Sequence, residues 1–381
     1  MAENFTESTG FWKRRYEPDG LKHQKTSDKG KQNNKQMKAY NGFITIKQQY
    51  IQMKKRVLIT GATGFVGYHL IESALALGME VYASVRNSSK TDHLKKFDVK
   101  YVELDFESMY LLKRDIEEKK YHYIIHAAAI TKAKNLQQYL HVNAVYTRNL
   151  AIAASIATHK IEKFVFLSSL AAIGPLNDKN GILADNSSSN PVTNYGISKA
   201  LAETYLNQIK GLPLITFRPT AVYGPREKDI FIVLKSIRSG LELYIGNTEQ
   251  QLSFVYVTDL AQAVIKSLGS DLVDKTYNIS DGSSYSRSAL AHYARKALGK
   301  KTLALNVPVG MIKGVAWFLE KGYGLFNKIP ALNVDKIKEL TAINWNVNIE
   351  NLQKDLGFVP EYQLENGLGE TIKWYKNNKW L

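Results

Sequence analysis

The sequence predicts an α/β protein, in which a doubly wound parallel sheet is followed by a smaller C-terminal α/β lobe. Three observations support this fold class. From Arg56 to about residue 225, short segments made almost wholly of apolar residues alternate with longer segments of helical length. Strands that are apolar on both faces are typical of parallel sheets covered by helices on both sides. A glycine-rich turn follows the first strand, and the alternation loosens after residue 225.

The alternating part of the chain contains a series of predicted strands and helices. The strands are Val57–Thr60, Val81–Val85, Tyr101–Leu104, Tyr123–His126, Phe164–Ser168 and Leu214–Phe217. The helices lie near Tyr68–Leu77, Tyr110–Glu118, Leu136–Ala157 and Tyr195–Gln208. Connections between parallel strands are almost always right-handed, so this order predicts one sheet with helices on both faces.

Composition excludes several classes of protein. The chain has 381 residues, of which 44% are hydrophobic, and it contains no cysteine. Disulfide scaffolds, thiolate metal sites and cysteine nucleophiles are therefore excluded. No apolar run has the length of a signal peptide or a membrane span, so we expect a cytoplasmic protein without integral membrane association. The histidines show no metal-ligand spacing with carboxylates, and we expect no metal.

The net charge of +16 makes the chain strongly basic. Basic proteins bind nucleic acids, anionic membranes or anionic small molecules. The lysines are scattered and no nucleic-acid motif is present, so we expect no nucleic-acid partner. We expect a basic surface that favours a phosphorylated cofactor, and a peripheral membrane contact stays open.

The chain divides into three predicted segments. Residues 1–52 form a polar, basic leader whose composition is typical of disorder, since Lys22–Lys38 has almost no apolar residue. Residues 53–225 are expected to form the sheet domain, with later segments returning to it, and residues 226–381 mainly the smaller lobe and C-terminal helices. In that lobe Val307–Phe326 predicts an amphipathic helix. Packing in the lobe's core is the favoured interpretation, and an apolar lid or a membrane-surface contact are the alternatives.

The turn after the first strand has the pattern of a dinucleotide-binding loop. Gly61, Gly64 and Gly67 lie between that strand and the next helix. In such loops the first glycine makes the tight turn, the second lets the backbone approach a pyrophosphate, and the third lets the helix pack closely. Free N–H groups at the helix N-terminus bind the phosphates. Strand, turn and helix together predict a Rossmann-type sheet that binds a dinucleotide.

The end of the second strand bears on the choice of cofactor. An acidic residue there would bind the ribose hydroxyls of NAD, whereas an arginine pairs with the 2′-phosphate of NADP. This chain has Arg86, followed by the further donors Ser88, Ser89 and Lys90. We therefore expect NADP(H), with NAD(H) as the alternative.

A serine, a tyrosine and a lysine form a candidate catalytic group. Tyr195 and Lys199 are four residues apart on a predicted helix and so share a face. An ammonium beside a phenol lowers the phenol's pKa, which predicts that Tyr195 exchanges a proton with an alcohol or ketone during hydride transfer. The fifth strand ends in Ser168 and Ser169. A hydroxyl at the C-terminal end of a parallel strand faces the ligand crevice.

With these motifs, the chain resembles the extended short-chain dehydrogenase/reductase family, also called the NAD-dependent epimerase/dehydratase family. The resemblance covers about residues 54 to 381. The glycine loop, the paired serines and the Tyr195–Lys199 pair carry it. Further matching motifs are His126–Ala129, Val142–Ala144, Arg218–Pro225, Phe254–Leu260, Leu356–Pro360 and Thr371–Tyr375.

The resemblance implies roles for individual residues. Ser169, rather than Ser168, would be the catalytic hydroxyl, and Tyr195 the general acid/base. Lys199 would hold the nicotinamide ribose and tune Tyr195, and Asn143 would support this geometry. The implied cofactor contacts are Gly61, Thr63, Gly64, Phe65, Val66, Gly67, Arg86, Asp105, Ala127, Ala128, Lys199 and Pro219. The resemblance also implies a homodimer and a substrate-binding role for the C-terminal lobe.

Two departures from relatives that act on sugar nucleotides narrow the function. Family dehydratases carry Asp-Glu after the catalytic hydroxyl, where this chain has Leu170 and Ala171. Sugar-nucleotide epimerases usually place a diphosphate-binding arginine where this chain has Leu252, and Arg226 is a candidate replacement. We therefore expect an oxidoreductase that interconverts an alcohol and a ketone or aldehyde of a small-molecule substrate. A nucleotide-sugar epimerase and a non-catalytic NADP-binding protein are the alternatives.

Overall fold

The computed structural model describes residues 54–325 and 334–381. The leader at 1–52, which we expect to be disordered, lies outside these ranges. So does Phe326, the last residue of the predicted amphipathic helix.

The described chain alternates strands and helices throughout its first half. The strands are β1 (Arg56–Thr60), β2 (Glu80–Ser84), β3 (Val99–Val102), β4 (Tyr123–His126), β5 (Lys163–Leu167), β6 (Leu214–Pro219), β7 (Ala221–Tyr223), β8 (Leu241–Ile245), β9 (Gln251–Leu252), β10 (Phe254–Tyr256), β11 (Lys275–Ile279), β12 (Tyr285–Ser286) and β13 (Leu303–Val307). The helices are α1 (Phe65–Ala76), α2 (Met109–Lys119), α3 (Leu136–Tyr139), α4 (Tyr146–Ile156), α5 (Asn194–Asn207), α6 (Asp229–Arg238), α7 (Val257–Leu268), α8 (Ala289–Leu298), α9 (Val309–Leu325), α10 (Val334–Leu340), α11 (Glu350–Leu356) and α12 (Leu364–Asn377).

Within the described residues, seven strands form one parallel sheet in the order β11-β6-β5-β4-β1-β2-β3. This confirms the predicted Rossmann-type sheet. The six predicted strands are its first six, and the predicted third strand starts two residues too late, since β3 is Val99–Val102. The seventh, β11, was not predicted because it lies where the alternation has loosened. It returns from the later part of the chain to pair with β6.

Helices cover both faces of the sheet, because alternate residues of each strand face opposite sides. On β1, Val57 and Ile59 belong to one apolar cluster, whereas Leu58 belongs to another, and all three are fully buried. The first cluster includes residues of α1 and α7, and the second includes residues of α2, α4 and α5. Burying such a side chain contributes roughly 1.5–3 kcal/mol, so the two clusters together hold the doubly wound sheet.

The smaller lobe is built from three two-stranded pairs, β7–β10, β9–β12 and β8–β13, and from helices that pack beside them. Its core is a third apolar cluster rich in aromatic rings, which include Tyr223, Tyr256, Tyr285 and Tyr375. Helices α8 and α12 pack together there.

The predicted amphipathic helix is α9, which runs from Val309 to Leu325. The favoured interpretation, that it packs in the core of the lobe, is wrong for its described side chains. Met311, Trp317 and Phe318 are half or more exposed, and of the side chains described on α9 Ala316 is the buried one. The apolar face of this helix therefore meets solvent in the structure.

Candidate active site

The candidate site lies at the C-terminal edge of the parallel sheet, where adjacent strands end side by side. The glycine turn follows β1, Ala127 and Ala128 follow β4, and Ser169 lies two residues after β5. Pro219, at the end of β6, is buried and pairs with Ile279 of β11. A ligand in a doubly wound fold binds at this edge.

The glycine turn has the geometry that a bound dinucleotide requires. Gly61 has φ +69°, and a Cβ there would come within 2.7 Å of the Ala127 carbonyl group. A Cβ on Gly67 would lie 2.1 Å from the Gly61 oxygen, so only glycine lets α1 pack onto the turn. Gly64 is exposed at the N-terminus of α1, and its N–H donates to the Gly61 oxygen at 2.9 Å. Its open backbone leaves room for a pyrophosphate.

The remaining residues of the loop lie between these glycines. Thr63, Phe65 and Val66 are each half-buried. Phe65 and Val66 form the first turn of α1, so their N–H groups belong to the unpaired donors of the helix N-terminus.

A chain of buried hydrogen bonds connects β1, β4 and α4. The Thr147 hydroxyl donates to the Asn143 carbonyl at 2.7 Å, so it accepts from His126 Nε2 at 2.8 Å. Burial lowers the pKa of His126 to about 3, and the ring is therefore neutral. Its Nδ1 then accepts from the Thr60 hydroxyl at 2.7 Å, and Thr60 Oγ1 accepts from the Ala128 N–H at 3.1 Å. This chain holds the segment after β4 against the glycine turn.

Ser169 and Tyr195 are brought together at the end of β5. Ser169 caps the short turn Leu170–Ala172, and Tyr195 lies in the first turn of α5. The Ser169 hydroxyl lies close enough to the Tyr195 phenol to lower its pKa. Gly196 permits this approach, because a Cβ there would lie 2.3 Å from the Ala171 carbonyl oxygen.

Lys199 lies one helical turn after Tyr195 and is almost completely buried. Its ammonium donates to the Leu167 carbonyl oxygen at 2.6 Å and lies 4.2 Å from the centre of the Phe166 ring. Burial lowers the pKa of Lys199 to about 7, and the Glu203 carboxylate opposes this change. The lysine therefore titrates near neutrality.

The expected lowering of the Tyr195 pKa by Lys199 is not what the structure shows. Burial raises the pKa of Tyr195 above its usual value, and the carboxylate of Glu339 raises it further. The Ser169 hydroxyl lowers this pKa, but by less than burial raises it. The Lys199 ammonium is directed at the Leu167 carbonyl. The spacing of Tyr195 and Lys199 predicts that they share a helix face. It does not predict which group the long lysine side chain will contact.

The neighbouring Ser168 belongs to a different network. Its hydroxyl donates to the Glu203 carboxylate, which also accepts from Arg218 Nε at 3.0 and 3.1 Å. Arg218 reaches the Asp185 carbonyl at 2.8 Å as well. Ser168 is thus part of a buried ion-pair network. Ser169 is the serine whose hydroxyl lies near the Tyr195 phenol.

Asn143 connects the segment after β4 to the tyrosine helix. It lies fully buried in a π-helical segment, Leu140–Val145. Its amide accepts from the Ile130 N–H at 2.8 Å and donates to the Ile130 carbonyl at 2.9 Å and to the Ser198 hydroxyl at 3.0 Å. Ser198 in turn donates to the Tyr195 carbonyl.

Arg86 and Asp105 lie apart from these groups, at exposed positions beyond β2 and β3. The Arg86 N–H donates to the Ser89 hydroxyl at 3.0 Å, and Asp105 Oδ1 accepts from the Glu107 N–H at 2.9 Å. Both are held by local turns at the sheet edge where the glycine loop lies.

Basic groups lie beside the glycine loop, and of these only Arg226 was predicted, as a candidate for binding a substrate diphosphate. His93 hydrogen-bonds to the Thr63 backbone, and the charges of Arg226 and Lys228 act on its ring. The Arg226 guanidinium lies 4.2 Å from the centre of the Tyr68 ring on α1. The backbone φ of Arg226, +79°, is rare for a residue other than glycine. The sequence alone does not predict that this side chain packs against α1.

A second unpredicted contribution comes from the C-terminal lobe. Asp335 accepts from the Asn194 N–H at 2.8 Å, at the start of the tyrosine helix. Glu339, one turn later on α10, is the carboxylate that acts on Tyr195. Both residues lie about 140 positions away in sequence, so no local pattern could place them there.

Comparison with known proteins assigns the chain to a family. The family model described as NAD dependent epimerase/dehydratase family matches residues 57–280. The chain belongs to that family. As a member of the epimerase/dehydratase family, it is an NAD(P)-dependent enzyme of the extended short-chain dehydrogenase/reductase type.

Two relatives in the family illustrate its range. The chain is 28% identical over 337 residues to UDP-glucose 4-epimerase of Vibrio cholerae, with 84% of this chain and 96% of that protein covered. It is 28% identical over 356 residues to the decarboxylating sterol-4-alpha-carboxylate 3-dehydrogenase of Candida albicans, with 84% and 97% covered. Among solved structures, MoeE5 in complex with UDP-glucuronic acid and NAD matches with a TM-score of 0.68 and 21% identity, covering 85% and 99%.

In residues 54–325 and 334–381, no three His, Asp or Glu side chains are grouped as metal ligands. Over the same ranges, no helix is both long and apolar enough to cross a bilayer.

Proposed function

We propose that this enzyme interconverts an alcohol and a ketone or aldehyde by hydride transfer, with Ser169, Tyr195 and Lys199 at its centre. The observation that supports this most directly is the proximity of the Ser169 hydroxyl to the Tyr195 phenol, one helical turn from the buried Lys199. Both hydroxyls lie at the sheet edge where a nicotinamide ring and a substrate oxygen meet in such folds.

The chemistry divides between cofactor and protein. NAD(P) supplies the hydride acceptor or donor when it is bound. In the direction of oxidation, the deprotonated form of Tyr195 accepts the hydroxyl proton as the C–H bond loses its hydride, and Ser169 donates a hydrogen bond to the same oxygen. In reduction Tyr195 returns that proton. Lys199, which titrates near pH 7, would hold the nicotinamide ribose and place positive charge close to the reacting pair.

The residues of the site fit a dinucleotide, and we propose NADP(H) over NAD(H). The open backbone at Gly64 receives the pyrophosphate, with Ala127 and Ala128 beside the turn. Arg86 lies beyond the end of β2, where an adenosine 2′-phosphate would bind, and Arg226 adds a further positive charge beside the glycine loop. Asp105 and Pro219 would contact the adenine and nicotinamide ends respectively.

A substrate without a charged diphosphate is the class that the site favours. Leu252, where epimerases of this family usually carry a diphosphate-binding arginine, is half-buried in a strand pair with Tyr285. The Candida albicans relative is named as a decarboxylating sterol-4-alpha-carboxylate 3-dehydrogenase, and a 3-dehydrogenase substrate of this kind carries no diphosphate.

A nucleotide-sugar epimerase is the second candidate. The Vibrio cholerae relative is named as one and matches over nearly its whole length. Such an enzyme would retain NAD and rotate a keto intermediate, and Arg226 would have to bind the diphosphate. In the structure the Arg226 guanidinium instead packs against the ring of Tyr68, a residue of α1, beside the glycine loop.

Cofactor turnover separates the two candidates. We would incubate the purified enzyme with NADPH or NADH and a panel of carbonyl compounds, and separately with UDP- and dTDP-sugars. Net loss of reduced-cofactor absorbance with a ketone or aldehyde supports the oxidoreductase. Interconversion of a sugar nucleotide with no net redox change supports the epimerase and overturns the proposal.

A further inference from the structure

One face of the β8–β13 strand pair is apolar and lies open to solvent. The two strands are parallel, and their register places Leu303 opposite Leu241, Leu305 opposite Leu243 and Val307 opposite Ile245. Residues paired in this way share a face of the sheet. Leu303 is 63% exposed and Leu243 is 57% exposed, so the described chain leaves this aliphatic ladder largely uncovered.

The chain continues from this ladder directly into α9. Met311, Val315 and Phe318 follow one another at helical spacing and lie on one face of α9. All three are exposed, and Phe318 is 71% exposed. We define the ladder of six aliphatic residues and this helical stripe together as the apolar face. Single exposed apolar residues need no explanation, whereas this face groups several of them on successive elements.

The cations beside this face lack carboxylate partners. Lys300 and Lys301 precede β13, and Arg238 ends α6 just before β8. The starts of the two strands meet there, because the Leu303 N–H donates to the Gly240 carbonyl at 2.8 Å. None of these three cations forms an ion pair with a described residue.

Acidic residues are absent from the segment that forms most of this surface. Residues 299–318 contain no Asp or Glu. Glu242 of β8 alternates to the opposite face of the strand pair, where it is buried against Arg295, Thr302 and Tyr244. Among the described residues, the apolar face is thus bordered by cations without ion-pair partners, and none of the residues that define it is acidic.

We propose that the apolar face docks the enzyme peripherally on an anionic lipid bilayer. Aliphatic and aromatic side chains enter the headgroup boundary, while lysines and an arginine beside them meet anionic headgroups. A contact between two protein copies would require a complementary, acidic or apolar, partner face, whereas this surface carries cations along its border. An anionic bilayer satisfies both the apolar and the charged components.

The test is sedimentation of the full-length enzyme with vesicles of phosphatidylcholine alone and with vesicles that also contain phosphatidylglycerol. We expect binding to the anionic vesicles and little binding to the neutral ones. Each Lys or Arg near an anionic surface contributes about 1 kcal/mol, or roughly fivefold in affinity. The double variant Lys300→Glu/Lys301→Glu should therefore weaken binding at least about tenfold, and Leu303→Ser/Phe318→Ser should weaken it comparably.

Matched controls change the same residue types elsewhere. Lys210→Glu and Val359→Ser alter exposed positions far from the apolar face in sequence and should leave vesicle binding unchanged. Absence of binding by the wild-type enzyme would overturn the proposal, as would equal losses in the test and control variants. Concentration-dependent dimerisation that Leu303→Ser/Phe318→Ser abolishes, seen by light scattering without vesicle binding, would instead assign the face to a second copy.

Discussion

Ser168 and Ser169 are neighbours in the chain, yet their hydroxyls have different surroundings. Ser168 is bound to the Glu203 carboxylate in a buried ion-pair network, and Ser169 meets Tyr195. Side chains of consecutive residues at a strand end point to different sides. A variant at either position therefore tests a different property, folding stability for Ser168 and turnover for Ser169.

The proposed preference for NADP(H) depends on individual cations. Arg86→Ala should weaken NADPH binding about tenfold to a hundredfold, the usual worth of a charge-assisted hydrogen bond, and leave NADH binding almost unchanged. Arg226→Ala should act in the same direction. Fluorescence titration with both cofactors measures this, with the exposed Lys210→Ala as control. Equal losses for NADPH and NADH would remove the argument for a 2′-phosphate site.

The buried Lys199 makes stability depend on pH. Its pKa is lowered to about 7, whereas a lysine in an unfolded chain titrates near ~10.4. Between these values the unfolded chain binds more protons, so the free energy of unfolding rises with pH. Relative to Lys199→Met, the wild-type chain should gain ~1 kcal/mol per pH unit across this window.

Urea unfolding of both proteins across that pH window measures the difference. Comparison with Lys199→Met cancels the other groups that titrate there, including tyrosines. A difference that stays constant with pH would mean that Lys199 keeps an ordinary pKa in the folded protein.

At the scale of elements, the position of α5 against the turn after β5 decides the site. Gly196→Ala places a Cβ 2.3 Å from the Ala171 carbonyl oxygen, and backbone cannot move as easily as a side chain. We expect a loss of roughly 1–3 kcal/mol in stability and a large fall in turnover, since Tyr195 is displaced from Ser169. Urea unfolding and steady-state kinetics measure the two effects.

A second helical glycine supplies the control. Gly369 lies in α12, where an added Cβ would meet no atom within 4 Å. Gly369→Ala should raise stability by about 0.5–1 kcal/mol and leave turnover unchanged. If Gly196→Ala behaved like Gly369→Ala, close packing of α5 would not be what positions the tyrosine.

At the scale of the whole molecule, distant segments meet at the sheet edge. The strand β11 completes the sheet beside β6, and α10 reaches the start of α5 through Asp335. The described groups of the site all lie at or after Thr60. Removing residues 1–52 should therefore leave cofactor affinity and the thermal midpoint unchanged, as measured by titration and thermal unfolding. A clear drop in either would show that the leader supports the enzyme.

The parts that sequence predicts are those encoded locally. The glycine turn and the Tyr195–Lys199 spacing depend on residues within one element, so they are visible in the chain. Contacts between segments distant in sequence bring β11, Arg226 and Glu339 to the site. The periodicity of apolar residues does not predict such contacts. The α9 helix was predicted with nearly correct bounds, but its exposure depends on which neighbours cover it, and that is a property of the whole lobe.

The central claim, that Tyr195 moves the proton, is tested most directly by Tyr195→Phe. This change keeps the ring and its packing and removes the transferable proton. With a substrate found by the carbonyl panel, we expect turnover to fall by about 10² to 10⁴, the usual contribution of a positioned acid/base, at unchanged cofactor affinity. The exposed Tyr110→Phe should keep full activity. Near-full turnover in Tyr195→Phe would contradict the assignment.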